Sequence, residues 1–224
     1  CPFAYVWREG NPGESTRVIA ATGNYGCPVF VCMQGPHKIA EQSFIPFPFA
    51  VDRELFCDAP APVFEDRIYD VIYSGRERGD GGNARIHQNV QRAHTPGYVK
   101  GYAAYRDILG LSKTTFTVDS ATYVGSRGLE AAAMGCVTLL DRADGAIGWI
   151  GFEWGVEALR CEPTKCPRSG EWMPDAGAFG TIRDVCADKE RWTRISAAAR
   201  KKIAAEHTYE ARAKRIAAVC GVKL

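Results

Sequence analysis

Arg127 and Glu130 stand three residues apart at the head of the run SRGLEAAAMGCVTLLD, Ser126 to Asp141, a cation and a carboxylate in a pattern suited to holding a polar ligand. An ionised carboxylate accepts hydrogen bonds and a guanidinium donates them, so the pair could grip a polar ligand from both sides. The surrounding residues predict the helix that positions them. Ser126 can cap the first-turn amides, Ala131 to Met134 propagate, and Gly135 can take the left-handed backbone that ends a helix. The expected helix spans about ten residues, with Arg127 and Glu130 side by side at its start. Cys136 to Leu140 then form a continuous apolar run of strand length, so the helix leads straight into a buried, parallel strand. An Arg/Glu pair at this spacing is often only a solvated ion pair. The buried strand raises it to a candidate site, because helix starts at the carboxyl edge of a parallel sheet are where such sheets bind ligands.

A second candidate lies upstream, in YDVIYSGRERGDGGNARIHQNVQRA. The pattern predicts a strand at Tyr69 to Tyr73, a glycine-rich polar loop from Ser74 to Gly82, and a helix after it. Strand, glycine loop and helix start present backbone amides to an anion, with Arg76, Arg78 and Arg85 adding positive charge. No Gly-Lys-Ser/Thr follows, and the glycine spacing of a dinucleotide site is missing, so neither of those phosphate loops is present.

The elements around these motifs alternate. FAYVWRE from Phe3 reads as a strand, STRVIAATGNYG as a helix capped by Ser15, CPVFVCMQG as a second buried strand, and FIPFPFAVD as an extended connector. Residues 1–58 are expected to be an abbreviated α/β region with its connector, and residues 59–224 a second domain beyond Pro60-Ala61-Pro62. Further on, YAAYRDILGLSK predicts a helix and TTFTVD an apolar strand. Gly145 to Gly177 read as a loop-rich insertion holding Trp149, Trp154 and Trp172, as lid, acceptor platform or satellite core. A long helix follows from about Ala187, a break comes at His207, and a last helix is capped by Thr208. Strands alternating with helices define a parallel-sheet α/β architecture.

Composition bounds the function. The 224 residues are 46% hydrophobic and 24% charged, with a formal net charge of +2. Such a balance offers no broad basic field for non-specific nucleic-acid binding. No apolar stretch approaches the roughly 20 residues that cross a bilayer, so the expected location is cytoplasmic. The nine cysteines are odd in number and scattered. Cys27, Cys32, Cys136, Cys186 and Cys220 lie in apolar runs and read as buried free thiols. Cys161 and Cys166 have metal-ligand spacing, but no second pair matches them, so no metal site is expected.

DVIYSGRERG, then Arg127-x-x-Glu130, then AAEHTYEARAKRI resemble, in order and spacing, the C-terminal nucleotide-sugar-binding half of GT-B glycosyltransferases, most closely the branch of the spore-maturation-type enzymes and the T-even phage DNA β-glucosyltransferase. PFAVDRELF resembles the connector between the two Rossmann-like halves of such enzymes. The resemblance covers roughly residues 45–220, and it implies a GT-B-like fold of two Rossmann-like parallel-sheet domains, the first short or incomplete. It further implies that Glu130 takes the ribose hydroxyls of the donor, that Arg127 and Ser126 meet the ribose and phosphates, and that Gly75 and Arg78 belong to the phosphate loop, with Arg76 and Arg85 beside it. The donor is then a nucleoside diphosphate sugar, a UDP-sugar above all, held without a metal or other cofactor.

Two departures stand out. The second strand of the domain and its helix are compressed between His87 and Gly101. Where the phage enzyme places its catalytic aspartate, after the strand matching CPVFVCM, this chain has Gln34-Gly35-Pro36-His37. Glutamine is no base. His37 is the nearest titratable group, with an ordinary pKa near 6.5 suited to taking a hydroxyl proton; Glu9 is the reserve and Glu41 the more distant choice. Three functions follow as expectations: a glycosyltransferase acting on an acceptor hydroxyl, a phage-type enzyme acting on hydroxymethylated DNA bases, and a non-catalytic sugar-nucleotide-binding protein of the same fold.

Overall fold

The structure, a computed structural model, describes residues 30–31, 45–46, 49–73, 82–96, 99–117, 125–141, 147, 150–161, 163–165 and 172–222. The first two runs are strands β1 (Phe30–Val31) and β2 (Ile45–Pro46), which pair in parallel. β1 falls within the expected second strand and β2 within the expected connector. The strand from Phe3 and the helix from Ser15 lie outside the described residues.

The main sheet contains β3 (Tyr69–Ile72), β4 (Ala93–His94), β5 (Ser112–Thr117), β6 (Val137–Asp141) and β7 (Leu159–Cys161). All pairings are parallel, in the order β4-β3-β5-β6-β7. The crossover helices are α1 (Gly82–Asn89), α2 (Tyr102–Gly110) and α3 (Ser126–Ala133). An antiparallel hairpin of β8 (Pro163–Lys165) and β9 (Trp172–Pro174) precedes α4 (Ala176–Ala187), α5 (Lys189–Glu206) and α6 (Tyr209–Val219). Successive strand residues point to opposite faces. Val71 and Leu139 therefore enter a core with Ile86, Phe179 and Ile182, while Ile72 and Leu140 enter a second core with Leu109, Leu129 and Ile203. Helices cover both faces, the arrangement a parallel sheet requires.

β5 reads SKTTFT, a polar sequence for a strand whose residues from Ser112 to Phe116 are all buried. Its hydroxyls are satisfied by neighbouring carbonyls: Thr114 donates to Asp70 O at 2.6 Å and Thr115 to Ile72 O at 2.9 Å. A buried hydroxyl without such a partner would cost about 1–3 kcal/mol.

The sequence reading needs three corrections here. Gly145 to Gly177 is not merely loop-rich, since it supplies β7 to the sheet edge and the β8/β9 hairpin; β7 has only three residues, too few for its alternation to stand out. Phe179 to Val185 belong to α4, which Asp175 caps by accepting from the Ala178 amide at 2.8 Å. The helix expected to reach Lys113 ends at Gly110, and Ser112 already opens β5. Trp154 is half-buried against the main core, Trp149 lies outside the described residues, and so does the side chain of Trp172 in β9. Cys136 and Cys161 are buried thiols, Cys186 and Cys220 are half-buried, and Cys27, Cys32 and Cys166 are outside the described residues.

The break at His207 and the Thr208 cap are present. Thr208 Oγ1 accepts from the Ala211 amide at 3.2 Å. This junction holds the incoming connector: the Val51 amide donates to His207 O at 2.9 Å and the Tyr209 amide to Val51 O at 3.1 Å. His207 is buried, with Nε2 donating to Ile150 O at 2.8 Å and Nδ1 accepting from Arg212 at 2.6 Å.

Gly135 ends α3 at φ +81°, and a Cβ there would lie 2.8 Å from an Arg67 guanidinium nitrogen and 3.0 Å from Ser196 Oγ. Both the backbone region and the space demand glycine. Gly135→Ala is expected to destabilise the fold by on the order of 2–4 kcal/mol, measured by urea unfolding. A loss below about 1 kcal/mol would mean that Arg67 and Ser196 shift at little cost.

Candidate functional site

Strand order reverses between β3 and β5. The chain leaves β3 through α1 toward β4 on one side, while β5 on the other side feeds α3, so a crevice opens at the carboxyl ends of these two strands. At those ends Tyr73 and Phe116 pack into the core, their rings stacked with centroids 4.9 Å apart and 13° between planes.

α3 starts at this edge. Gly125, not Ser126, occupies the capping position, and Ser126 is the first helical residue. Glycine brings no side chain to the first-turn amides, and the positive end of the helix faces the crevice side of the sheet. Arg127 is exposed. Glu130, one turn on, has only 9% of its surface exposed. The two residues are therefore not both on a solvent-facing helix start, because the small side chains Ala131, Ala132 and Ala133 seat α3 deep between β5, β6 and α5.

A buried carboxyl needs partners. Tyr105 of α2 hydrogen-bonds the Glu130 carboxylate, and Arg127 acts on it through charge. Burial dominates and pushes the Glu130 pKa up to about 7, with Arg127 and then Tyr105 pulling the other way. Two further tyrosines flank it. Tyr102 is 68% exposed and Tyr209 62% exposed, and they are the exposed large aromatic side chains of the described residues. The Tyr209 phenol is raised by partial burial first and then by the charges of Glu130, Tyr102 and Asp52, so groups from α2, α3, α6 and the connector act on one another electrostatically. Sequence reading missed the tyrosines. Tyr102 and Tyr105 share a helix face in YAAYRDIL, which reads as an ordinary amphipathic helix, and Tyr209 sits unremarked in HTYE.

Of the other candidates, Gly75, Arg76 and Arg78 lie outside the described residues, as do His37, Glu9, Glu41 and Gln34. Arg85 is in α1, its side chain outside the described set. Among the described residues no group of three or more His, Cys, Asp or Glu side chains converges as a metal site, and no helix is long and apolar enough to cross a membrane.

The comparisons with known proteins agree with this geometry. A sequence profile of a glycosyl transferase-like family matches residues 69–218, which run from the first residue of β3 nearly to the end of α6. The chain belongs to that glycosyltransferase family. No curated protein matches the sequence. Among solved structures, HepE of Anabaena in complex with UDP superposes with a TM-score of 0.66 at 12% identity, over 94% of this chain and 68% of that one. A glycosyltransferase from Rickettsia africae ESF-5 gives 0.61 at 13% identity, over 95% of this chain and 69% of its own. Sucrose-phosphate synthase from Thermosynechococcus elongatus gives 0.56 at 17% identity, over 93% and 61%. The chain thus spans about two thirds of the length of these structures. The fold is that of the GT-B glycosyltransferases, of which the five-stranded sheet with its helices is one Rossmann-like half. The matches do not assign the chain to the spore-maturation or phage branch.

Because the folded-state pKa of Glu130 lies above its unfolded value of 4.5, the native protein holds a proton that the unfolded chain has lost between pH 4.5 and about 7. Stability contributed at this site is accordingly present below pH 4.5 and declines as pH rises to about 7. Glu130→Gln, which keeps the shape without the charge, is expected to stabilise the protein by on the order of 1–3 kcal/mol at pH 8 and to have little effect at pH 4.5. Thermal unfolding at the two pH values checks this; a variant less stable than wild type at pH 8 contradicts it.

Proposed function

We propose that this protein transfers a sugar from a nucleoside diphosphate sugar, of the UDP type, to an acceptor hydroxyl. The observation that carries the reading is Glu130: a carboxyl buried against the carboxyl edge of a parallel sheet, flanked by two exposed tyrosines, in a chain of the glycosyltransferase family. Burying such a group is costly, and a ribose diol that donates two hydrogen bonds to its carboxylate gives the cost a use. Support comes also from HepE, whose structures were solved with UDP and with UDP-glucose.

In this scheme Glu130 takes the ribose hydroxyls, with Tyr105 holding the carboxylate in place. Tyr102 and Tyr209 wall the nucleoside side, aromatic faces suited to a base or sugar ring. Arg127, together with Ser126, Gly75, Arg76, Arg78 and Arg85, meets the diphosphate, so that charge developing on the leaving group is neutralised by guanidinium groups and helix amides without a metal. The acceptor oxygen attacks the anomeric carbon, the bond from that carbon to the diphosphate breaks, and a base takes the acceptor's proton. His37 fills that role, with Glu9 in reserve; the acceptor is bound largely by residues 1–58, with residues 59–224 holding the donor.

Calorimetry with UDP tests the donor site. Glu130→Ala should weaken binding by about 2–3 kcal/mol, roughly 30- to 150-fold. Wild-type affinity should rise with pH through about 7 as the carboxyl ionises, and the Glu130→Gln profile should be flat. Binding should also fall with added salt and survive a chelator. A strict requirement for magnesium or manganese contradicts the arginine scheme.

The base is tested by turnover. His37→Ala should lower the transfer rate by roughly 10²–10⁴-fold with UDP affinity unchanged. A normal rate removes His37 from the mechanism. If wild type binds UDP-sugars but neither transfers nor hydrolyses them, Gln34 marks a binding protein that kept the fold without the base.

A further inference from the structure

Tyr105 is half-buried in α2, one turn before the fully buried Leu109, and packs against the core that holds Leu109, Leu129 and Ile203. That packing uses its ring, and a phenylalanine would bury the same apolar surface. Its hydroxyl does something else. It hydrogen-bonds the carboxylate of Glu130, which is 9% exposed and belongs to the neighbouring helix.

A carboxylate offers about four acceptor positions on its two oxygens, and a phenol brings one hydrogen. Tyr105 therefore fixes the group without saturating it. Other charged and titratable groups stand on the elements around Glu130: Arg127 on its own helix, Tyr102 on α2, Tyr209 on α6 and Asp52 on the connector. Arg200 of α5 reaches the end of α3, but its guanidinium donates to Cys57 O and Ala59 O. Lys113 of β5 is directed to the opposite core, its ammonium over the Phe64 ring. Burial raises the Glu130 pKa; Arg127 first, and Tyr105 after it, lower it. Arg127 is exposed and its charge is screened by water, whereas the Tyr105 hydrogen bond is made inside.

We propose that Tyr105 is a positioning residue for the ligand of Glu130: its hydroxyl holds the buried carboxylate as an oriented acceptor for a diol, and thereby sets the pH range over which the donor is taken up. This rests on the reading that Glu130 takes the ribose hydroxyls of a nucleoside diphosphate sugar. The physical reason is the preference of a donated hydrogen bond for the charged form of a carboxyl. Without Tyr105, a carboxyl at this depth keeps its proton to higher pH, and a protonated carboxyl offers a diol one acceptor oxygen fewer.

Tyr105→Phe keeps the ring and removes the hydroxyl, and two measurements on the full chain test its effect. Infrared difference spectra of the empty protein follow the Glu130 carboxyl, identified as the signal that Glu130→Gln removes. The midpoint of its titration should rise by about one pH unit in Tyr105→Phe, a tenfold change in ionisation. In calorimetry with UDP, the loss of affinity caused by Tyr105→Phe should be roughly five- to tenfold greater at pH 6 than at pH 9. A purely structural lesion lowers affinity equally at both. In a Glu130→Gln background the loss caused by Tyr105→Phe should be the same at the two pH values. An unmoved infrared midpoint, or an equal loss at both pH values with Glu130 intact, overturns the proposal. UDP affinity that ignores Glu130→Gln at pH 9 overturns the donor reading instead, and the infrared midpoint, which needs no ligand, tells the two failures apart.

Discussion

Arg67 is the interaction on which the rest of this structure depends. The side chain is 2% exposed and its hydrogen bonds run to Pro62 O at 3.1 and 3.0 Å, Ser112 O at 2.5 Å and Met134 O at 2.7 Å, with the Cys136 sulfur 3.8 Å away. The guanidinium lies 4.8 Å from the Trp192 ring centre. One side chain thereby joins the connector, the start of β5, the end of α3 and α5. A buried cation is tolerated only where its donors are satisfied, so these four segments fix one another's positions. Gly135 is glycine because Arg67 must pass beside it, and Ser196 completes the knot by donating to Gly135 O at 2.8 Å.

This knot sits at the amino edge of the sheet, just past the end of α3, and Glu130 is the fifth of the eight residues of that helix, one turn before it. With its last turn held by Arg67 and Ser196, and its alanine face packed on β5, β6 and α5, α3 cannot rotate to release Glu130 into water. The fold holds a carboxyl in a place where ionisation is disfavoured and supplies only Tyr105 and Arg127 against that penalty. A carboxyl held where its ionisation is disfavoured is a candidate functional group.

Much of this was readable in the residues, and the failures have physical reasons. β3, α3, β6, the His207 break and the Thr208 cap follow from long apolar runs and specific cap residues, signals that survive in one dimension. β7 and β4 do not, because two or three residues carry no periodicity. α4 was hidden because its apolar positions begin behind a tryptophan-bearing stretch that resembles a loop. Residue types and spacing singled out Arg127 and Glu130 as candidates but gave no sign of the depth of Glu130, which is set by how closely three alanines let α3 approach its neighbours. The tyrosines were illegible for a related reason: Tyr102, Tyr105 and Tyr209 come together only once α2 and α6 are placed.

That placement follows from the compression between His87 and Gly101. α1 has eight residues and β4 two, so the outer edge of the sheet is cut short, and what remains is held by contacts across it. Tyr69 stacks on His94 at 4.4 Å, and Arg92 pairs with Asp70. A short connection then starts α2 at Tyr102 beside the crevice. Gly101, at φ +88°, makes the turn possible, and Tyr102 and Tyr105 at the head of α2 stand next to Glu130.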